Sequence, residues 1–127
     1  MIRLYQDKDD AELENMLITE GIPTIEMAYK QYKTFIFEED KHIKGFFTIK
    51  REWGYPSIQH FCVNRKNRSP LMARKIAKAM KITIKEMGFN RAILHSKNNI
   101  TDKFISYFFK KQPYAIKNIT TFFFVEV

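Results

Sequence analysis

The apolar residues of this chain fall into short runs separated by polar turns, a pattern that predicts many β-strands. The charged turn at 39–42 separates two of these runs, and the turn Trp53-Gly54-Tyr55-Pro56 precedes the next one. These three runs therefore predict an antiparallel meander. The predicted strands are residues 2–5, 34–38, 43–51, 57–63, 91–95, 114–117 and 120–127.

Residues 70–87 predict the main helix, because their apolar positions recur every three or four residues. It begins after Ser69, and Gly88 follows its last turn. Its expected core positions are Met72, Ile76, Met80, Ile84 and Met87. A helix of this length between two strands predicts a crossover, so residues 91–95 should lie parallel to residues 57–63.

Three further helices are expected. The first is capped by Asp9 or Asp10 and ends at Gly21, where the chain breaks at Gly-Ile-Pro. Its apolar face consists of Leu13, Met16 and Leu17. The other two cover residues 24–32, with Thr24 as the cap, and residues 98–111, which are rich in aromatic side chains.

Length and composition limit the classes of protein to which this chain can belong. A chain of 127 residues with 45% apolar residues forms one folded domain, residues 1–127. Cys62 is its single cysteine, so no internal disulfide can form, and its place in an apolar run predicts a buried thiol in a reducing compartment. No apolar run is long enough to span a membrane, and no signal-peptide pattern follows Met1. We therefore expect a cytoplasmic location and no membrane partner.

The net charge of +8 is concentrated in the second part of the chain. Residues 1–52 carry eight Lys or Arg against eleven Asp or Glu, whereas residues 53–127 carry fourteen against three. A field of this sign attracts phosphate-bearing ligands. A phosphorylated coenzyme and a nucleic acid would both satisfy it.

The segment 60–86 combines an apolar strand, a basic loop and the start of the main helix. The first-turn N–H groups of a helix lack intrahelical partners, and the helix dipole is positive there, so this junction can bind an anion. Arg65, Lys66 and Arg68 would add positive charge beside those amides. The alternative is a solvated loop that caps an ordinary helix.

The order of predicted elements resembles the GNAT superfamily of acyl-CoA-dependent N-acyltransferases over the whole chain. That family carries Arg/Gln-x-x-Gly-x-Gly/Ala between its fourth strand and the next helix. Arg68 and Ala73 match the first and last positions of this motif, and Leu71 stands at the central glycine. The resemblance implies an α/β fold with a mixed central sheet of six or seven strands and helices on both faces. It also implies that the sheet splays where residues 57–63 meet residues 91–95.

The resemblance further implies that acetyl-CoA is the cofactor and that an amine is the acceptor. The backbone N–H of Val63 would polarise the thioester carbonyl, and amides after it would hold the pyrophosphate. The cofactor-binding residues expected on this basis are Cys62, Val63, Arg65, Lys66, Arg68, Ser69, Leu71, Met72 and Ala73.

The catalytic candidates are His60 and Tyr107. Phe109 stands where many family members place a tyrosine acid, and Tyr107 lies two positions earlier. Ser57 stands where some members place a glutamate base. His60 is the imidazole on the central strand and faces away from Phe61, so it could act as a base, and His95 lies near the same splay. For each histidine the alternative is a packed or hydrogen-bonded side chain.

Other chemistries find less support. Three scattered His and one Cys have no metal-ligand spacing. Arg74, Lys78, Lys81 and Lys85 form a basic stripe on the main helix, which is either a solvated surface or a weak nucleic-acid site. Two functions therefore remain: an N-acetyltransferase, and a binding module of the same fold that has lost catalysis and holds nucleic acid or an acidic protein. The sequence specifies neither the acceptor amine nor the oligomeric state.

Overall fold

The computed structural model describes residues 1–19, 33–96, 99–112, 116–117 and 120–127. The helices are α1 (Asp10–Thr19), α2 (Pro70–Glu86) and α3 (Asn99–Phe108), with short 3₁₀ turns at Asp7–Asp9 and Arg65–Asn67. The strands are β1 (Ile2–Leu4), β2 (Lys33–Glu39), β3 (His42–Glu52), β4 (Tyr55–Val63), β5 (Arg91–Ser96), β6 (Lys110–Gln112), β7 (Ile116–Lys117) and β8 (Thr120–Glu126). Within the described residues these strands form one sheet in the order β1-β2-β3-β4-β5-β8-β6, and β7 pairs with β8.

The sequence pattern predicted most of this architecture. The antiparallel meander β2-β3-β4 and the parallel crossover from β4 to β5 are confirmed. The prediction for residues 98–111 was wrong at its end, because Lys110 and Lys111 lie in β6. There they pair with Glu126 and Val125. These ladder hydrogen bonds outweigh helix propensity. The expected helix at 24–32 and the helix end at Gly21 lie outside the described residues.

Two apolar clusters cover the two faces of the sheet, as expected. On one face, α2 and α3 pack against residues such as Ile58, Leu94 and Val125, and we call this the α2 face. On the other, the α1 face, Leu13 and Met16 of α1 pack against strand residues. Those strand residues are Ile36, Ile43, Phe46 and Cys62. The mixed sheet with helices on both faces is therefore confirmed.

Helix α2 has well-defined ends. Ser69 caps it: the Ser69 Oγ accepts a hydrogen bond of 3.1 Å from the Met72 N–H, and Pro70 occupies the first helical position. Gly88 follows the helix with a φ of +91°, a conformation that favours glycine. The apolar stripe predicted for this helix is buried at four of its five positions, and Met87 is half-buried.

Strand β4 carries two irregularities that matter for the site. Thr48 pairs with His60 and Ile49 with Ile58, so Gln59 is an extra residue in a β-bulge. The parallel pairing of β4 with β5 comprises Ser57 with Ile93 and Ile58 with Leu94, and beyond these pairs the strands separate. The predicted splay is thus present. We call the opening beyond these pairs the gap.

Candidate active site

A groove of about 560 Å³ extends from the end of β4, beyond its pairing with β5, to the start of α2. Its walls come from the end of β4, the first turn of α2 and the first turns of α3. One end is polar and cationic, and the other is apolar, so the groove suits a long ligand with an anionic end. The lining residues are Phe61, Cys62, Val63, Arg68, Ser69, Pro70, Ala73, Ile100, Thr101 and Phe104.

The end of β4 turns polar backbone groups toward this groove. The Asn64 N–H donates to the Lys44 carbonyl at 2.7 Å, which makes these two residues a hydrogen-bonded antiparallel pair. Hydrogen-bonded and non-hydrogen-bonded pairs alternate along an antiparallel ladder, so the next pair, Val63 with Gly45, is not hydrogen-bonded. The N–H and C=O groups of Val63 therefore point away from β3 and toward the gap. The Arg68 Nε confirms this direction, since it donates to the Val63 carbonyl at 3.1 Å.

Hydrogen bonds fix the loop between β4 and α2. The Asn67 N–H donates to the Asn64 carbonyl at 2.9 Å, and the Lys66 N–H donates to the Asn64 Oδ1 at 3.1 Å. The first turn of α2 therefore has a fixed position relative to the end of β4. A ligand would meet a preformed surface and would not need to order this loop.

The free amides of this surface are fewer than the sequence suggested. The Met72 N–H donates to Ser69 Oγ, the Ala73 N–H donates to the Ser69 carbonyl at 3.0 Å, and Pro70 has no N–H. Within the described part of the chain, the N–H groups of Ser69 and Leu71 donate to no protein acceptor. These two amides, at the positive end of the helix dipole, remain available to an anion.

The cations expected around the anion site differ in placement. Arg68 is exposed and lines the groove, and Lys66 is exposed on the preceding loop. The side chain of Arg65 lies outside the described part of the structure. No acidic residue occurs between Glu52 and Glu86, so the potential at this end of the groove is positive.

Three other residues expected to bind the cofactor differ in their exposure. Leu71 is 61% exposed and points its side chain away from the core, so it would offer its backbone. Met72 and Cys62 are buried in the two apolar clusters. The burial predicted for the Cys62 thiol is confirmed, and Cys62 is one of the residues that line the groove.

The two catalytic candidates lie apart. Tyr107 is 78% exposed on α3, packs edge-on against Phe108, and does not line the groove. The geometry gives no support to its role as an acid. His60 is half-buried beside the bulge, and its pairing with Thr48 places it on the sheet face opposite Phe61, as the sequence predicted. Its role as a base stays a prediction.

A polar cluster that the sequence did not predict lies on the α1 face of the gap. The Glu52 Oε1 accepts hydrogen bonds from Ser57 Oγ at 2.6 Å and Gln59 Nε2 at 2.5 Å. The same oxygen is 2.6 Å from His95 Nε2, and Gln59 Nε2 lies 2.8 Å from that nitrogen. We call these four residues the Glu52 cluster.

Opposing influences act on the Glu52 carboxyl. Burial by itself would raise its pKa, but hydrogen bonds from Ser57, His95 and Gln59, together with the charge that the His95 imidazole carries when it is protonated, outweigh burial. The pKa of Glu52 therefore lies below its ordinary value, and the group is a carboxylate at neutral pH.

One sequence signal could have pointed to Glu52. It is the single acidic residue between Asp40 and Glu86, and it lies at the end of a strand run. The family resemblance directed attention to a base at position 57, where this chain has serine. In the structure Ser57 binds the carboxylate of Glu52, so a carboxylate from the neighbouring strand does lie beside that position.

The basic stripe on α2 is less continuous than its spacing suggested. Arg74, Lys78 and Lys85 are exposed. Lys81 is half-buried, and its Nζ lies 5.0 Å from the centre of the Phe109 ring. The described residues contain no group of three or more His, Cys, Asp or Glu that could hold a metal. Over the same residues, no helix is long and apolar enough to cross a membrane.

Comparison with known proteins gives a structural answer only. No family model matches the sequence, and no curated protein matches it either. Solved structures do match. An acetyltransferase from Bacillus subtilis, in complex with CoA, is 9% identical and has a TM-score of 0.76 over 99% of this chain and 97% of its own.

Two further structures show the same likeness. A putative acetyltransferase of the GNAT family from Desulfovibrio desulfuricans is 10% identical, with a TM-score of 0.79 over 100% of this chain and 97% of its own. A putative acetyltransferase from Salmonella typhimurium, with its cofactor acetyl-CoA, is 13% identical, with a TM-score of 0.66 over 100% of this chain and 92% of its own. This chain therefore has the GNAT fold that its sequence resembles.

Proposed function

We propose that this protein binds acetyl-CoA in the groove and transfers the acetyl group to an amine by direct attack. One observation carries the proposal: the end of β4, beyond its pairing with β5, and the anion-binding start of α2 line one groove. Two of the solved structures that share the fold hold CoA or acetyl-CoA.

Each part of the cofactor would meet a different part of the groove. The pyrophosphate would accept hydrogen bonds from the Ser69 and Leu71 amides, with Arg68 supplying charge. The apolar arm would pass along Phe61 and Phe104, whose rings pack against each other at the groove wall with centres 4.9 Å apart. The thioester would then reach the gap.

The Val63 N–H is the group proposed to polarise the thioester. It points toward the gap, where charge develops on the carbonyl oxygen as the amine attacks. A fixed backbone donor at that point stabilises the tetrahedral intermediate without reorganisation. Positioning of the two reactants supplies the other large part of the rate. Use of acetyl-CoA agrees with the cytoplasmic location that the sequence predicts.

Titration calorimetry of CoA with matched variants tests this function. We expect Arg68→Glu to weaken binding about tenfold or more, because repulsion replaces a charge-assisted contact. Arg74→Glu is the control, since it places the same charge change on α2 outside the groove lining. Absence of binding to the unaltered protein at millimolar CoA would overturn the proposal, as would equal weakening by both variants.

A further inference from the structure

The gap has a second side. The groove reaches it from the α2 face, where Phe61 and Phe104 lie. Gln59 and His95 are the first residues of β4 and β5 beyond the last paired residues, and they meet at 2.8 Å on the α1 face. A thioester held by the Val63 N–H would have the proposed cofactor arm on the α2 face, and the Glu52 cluster would lie on the α1 face, about 13 Å back along β4 at Gln59.

The Glu52 cluster is suited to accept a proton. The carboxylate of Glu52 lies against the His95 imidazole at 2.6 Å and would stabilise its protonated form. Ser57 and Gln59 also bind Glu52, so the carboxylate has a fixed orientation. His95 is 9% exposed and Glu52 is 20% exposed, and this partial burial strengthens the interaction between them.

An aromatic recess of about 300 Å³ adjoins this cluster on the same face. Its walls are Trp53, Tyr55, Ile93 and Phe124. Tyr55 and Ile93 each lie two residues before a member of the cluster on the same strand, so the recess begins about 7 Å from it. The Tyr55 and Phe124 rings meet edge to face, with centres 4.9 Å apart.

We infer that the Glu52 cluster and the aromatic recess form the acceptor site, in which His95 removes the proton from a primary monoamine that carries an apolar or aromatic group. The inference rests on the proposed function. It adds the identity of the base and the class of the acceptor.

The chemistry balances with the groups at hand. The acceptor attacks as the neutral amine, after its ammonium proton has gone to solvent. As the C–N bond forms, one N–H proton passes through intervening water to the His95 imidazole, and Glu52 stabilises the resulting imidazolium. The nitrogen lone pair forms the C–N bond at the thioester carbonyl, and the C–S bond breaks with its electron pair on sulfur. The CoA thiolate takes a proton from solvent, and His95 returns its proton to solvent.

The charge distribution favours a monoamine over a polyamine. Residues 53–127 carry fourteen Lys or Arg against three Asp or Glu, and Arg91 lies over the Phe124 ring at 5.7 Å. A second or third ammonium would meet this positive field, and the described residues contain no cluster of carboxylates to receive it. The single carboxylate of Glu52 and the aromatic walls suit one ammonium with one apolar substituent.

The base is tested with acetyl-CoA and 2-phenylethylamine as substrates. We expect His95→Ala to lower kcat about 100-fold or more while CoA affinity stays unchanged. Added imidazole should restore part of the rate, which a merely structural role would not allow. His42→Ala is the control, because His42 is the first residue of β3 and its side chain is 72% exposed. If His95→Ala fails to fold, His95→Gln keeps a polar contact with Glu52 and should fold and remain slow.

The acceptor class is tested by comparing 2-phenylethylamine with methylamine and spermidine. We expect the highest kcat/KM for 2-phenylethylamine, and we expect Trp53→Asn to raise its KM about tenfold. Asparagine tolerates the φ of +50° at this position, so the turn is kept. Ile82→Ala, on exposed α2 surface, is the control.

The outcomes separate the two proposals. Failure of the unaltered protein to bind CoA would overturn the proposed function. Binding of CoA with no acetylation of 2-phenylethylamine above the methylamine rate would overturn the acceptor class. An unchanged kcat in His95→Ala, or a low kcat that imidazole does not restore, would overturn the assignment of the base.

Discussion

The carboxylate of Glu52 and the imidazole of His95 lie 2.6 Å apart, although they belong to β3 and β5 and β4 runs between them. The contact therefore crosses a strand and joins three strands next to the point where β4 and β5 separate. Ser57 and Gln59 of the intervening strand bind the same oxygen of Glu52. A fixed polar cluster therefore lies beside the gap.

This arrangement predicts a pH-dependent contribution to stability. Glu52→Gln should lower the free energy of unfolding at pH 7 by about 1–3 kcal/mol, the value of hydrogen bonds to a charged group. The folded-state pKa of Glu52 lies below its ordinary value of 4.5, so the carboxylate stabilises the fold fully above that pH. Its contribution is lost as pH falls through the lower, folded-state pKa.

Urea unfolding of both proteins across this range measures the effect. The difference between the unaltered protein and Glu52→Gln should be largest near neutrality and should shrink below pH 4.5. A difference that grows on acidification would have the wrong sign and would contradict the account of this carboxylate.

Gly45 offers a test of how closely α2 packs on the sheet. A Cβ at this position would lie 2.8 Å from the Cys62 carbonyl oxygen and 3.1 Å from Ile76 Cδ1. Gly45→Ala should therefore destabilise the protein by about 1–3 kcal/mol, because the backbone of β4 cannot move away cheaply. Thermal unfolding measures this. An unchanged or raised Tm would show that the strand and helix have more room than the structure indicates.

Ser69 separates helix capping from anion binding. Ser69→Ala removes the acceptor for the Met72 N–H and should cost about 1 kcal/mol. Ser69→Asn and Ser69→Asp should both restore the cap, but only the aspartate places a negative charge at the proposed pyrophosphate site. We therefore expect near-normal stability in both, with CoA binding weakened in Ser69→Asp alone. Equal CoA affinity in the two variants would place the anion elsewhere.

The fold was largely predictable because it depends on periodicity. The stripe of Met72, Ile76, Met80 and Ile84 fixed the main helix, and the strand on each side of it implied the parallel crossover. The exception at Lys110 is a long-range effect: its partner is Glu126, at the far end of β8. Local spacing carries no information about such a pairing.

The candidate site was predictable in part. The basic loop and Ser69 cap are consecutive in sequence, so the anion-binding end of the groove followed from local rules. The Glu52 cluster is assembled from three strands, and its geometry depends on the extra residue at Gln59. The position of a bulge does not show which side chains meet across three strands, so the meeting of Glu52 with His95 required the structure.

The basic stripe tests the competing function. Arg74, Lys78 and Lys85 are exposed, whereas Lys81 packs on Phe109. Changing the three exposed residues to glutamine should leave both the Tm and CoA binding nearly unchanged. Any binding of single-stranded DNA should be weak, and its dependence on salt should flatten in this variant. Tight, sequence-dependent DNA binding at physiological salt would favour the binding module over the enzyme.

The central claim, that acetyl-CoA occupies the groove from the start of α2 to the gap, is tested most directly by amide chemical shifts. CoA should be added stepwise to the ¹⁵N-labelled protein while the backbone resonances are followed. The account predicts the largest shift changes at Ser69 and Leu71, with further changes at Val63 and Phe104. Changes confined to Lys78 and Lys85, or none at millimolar CoA, would contradict it.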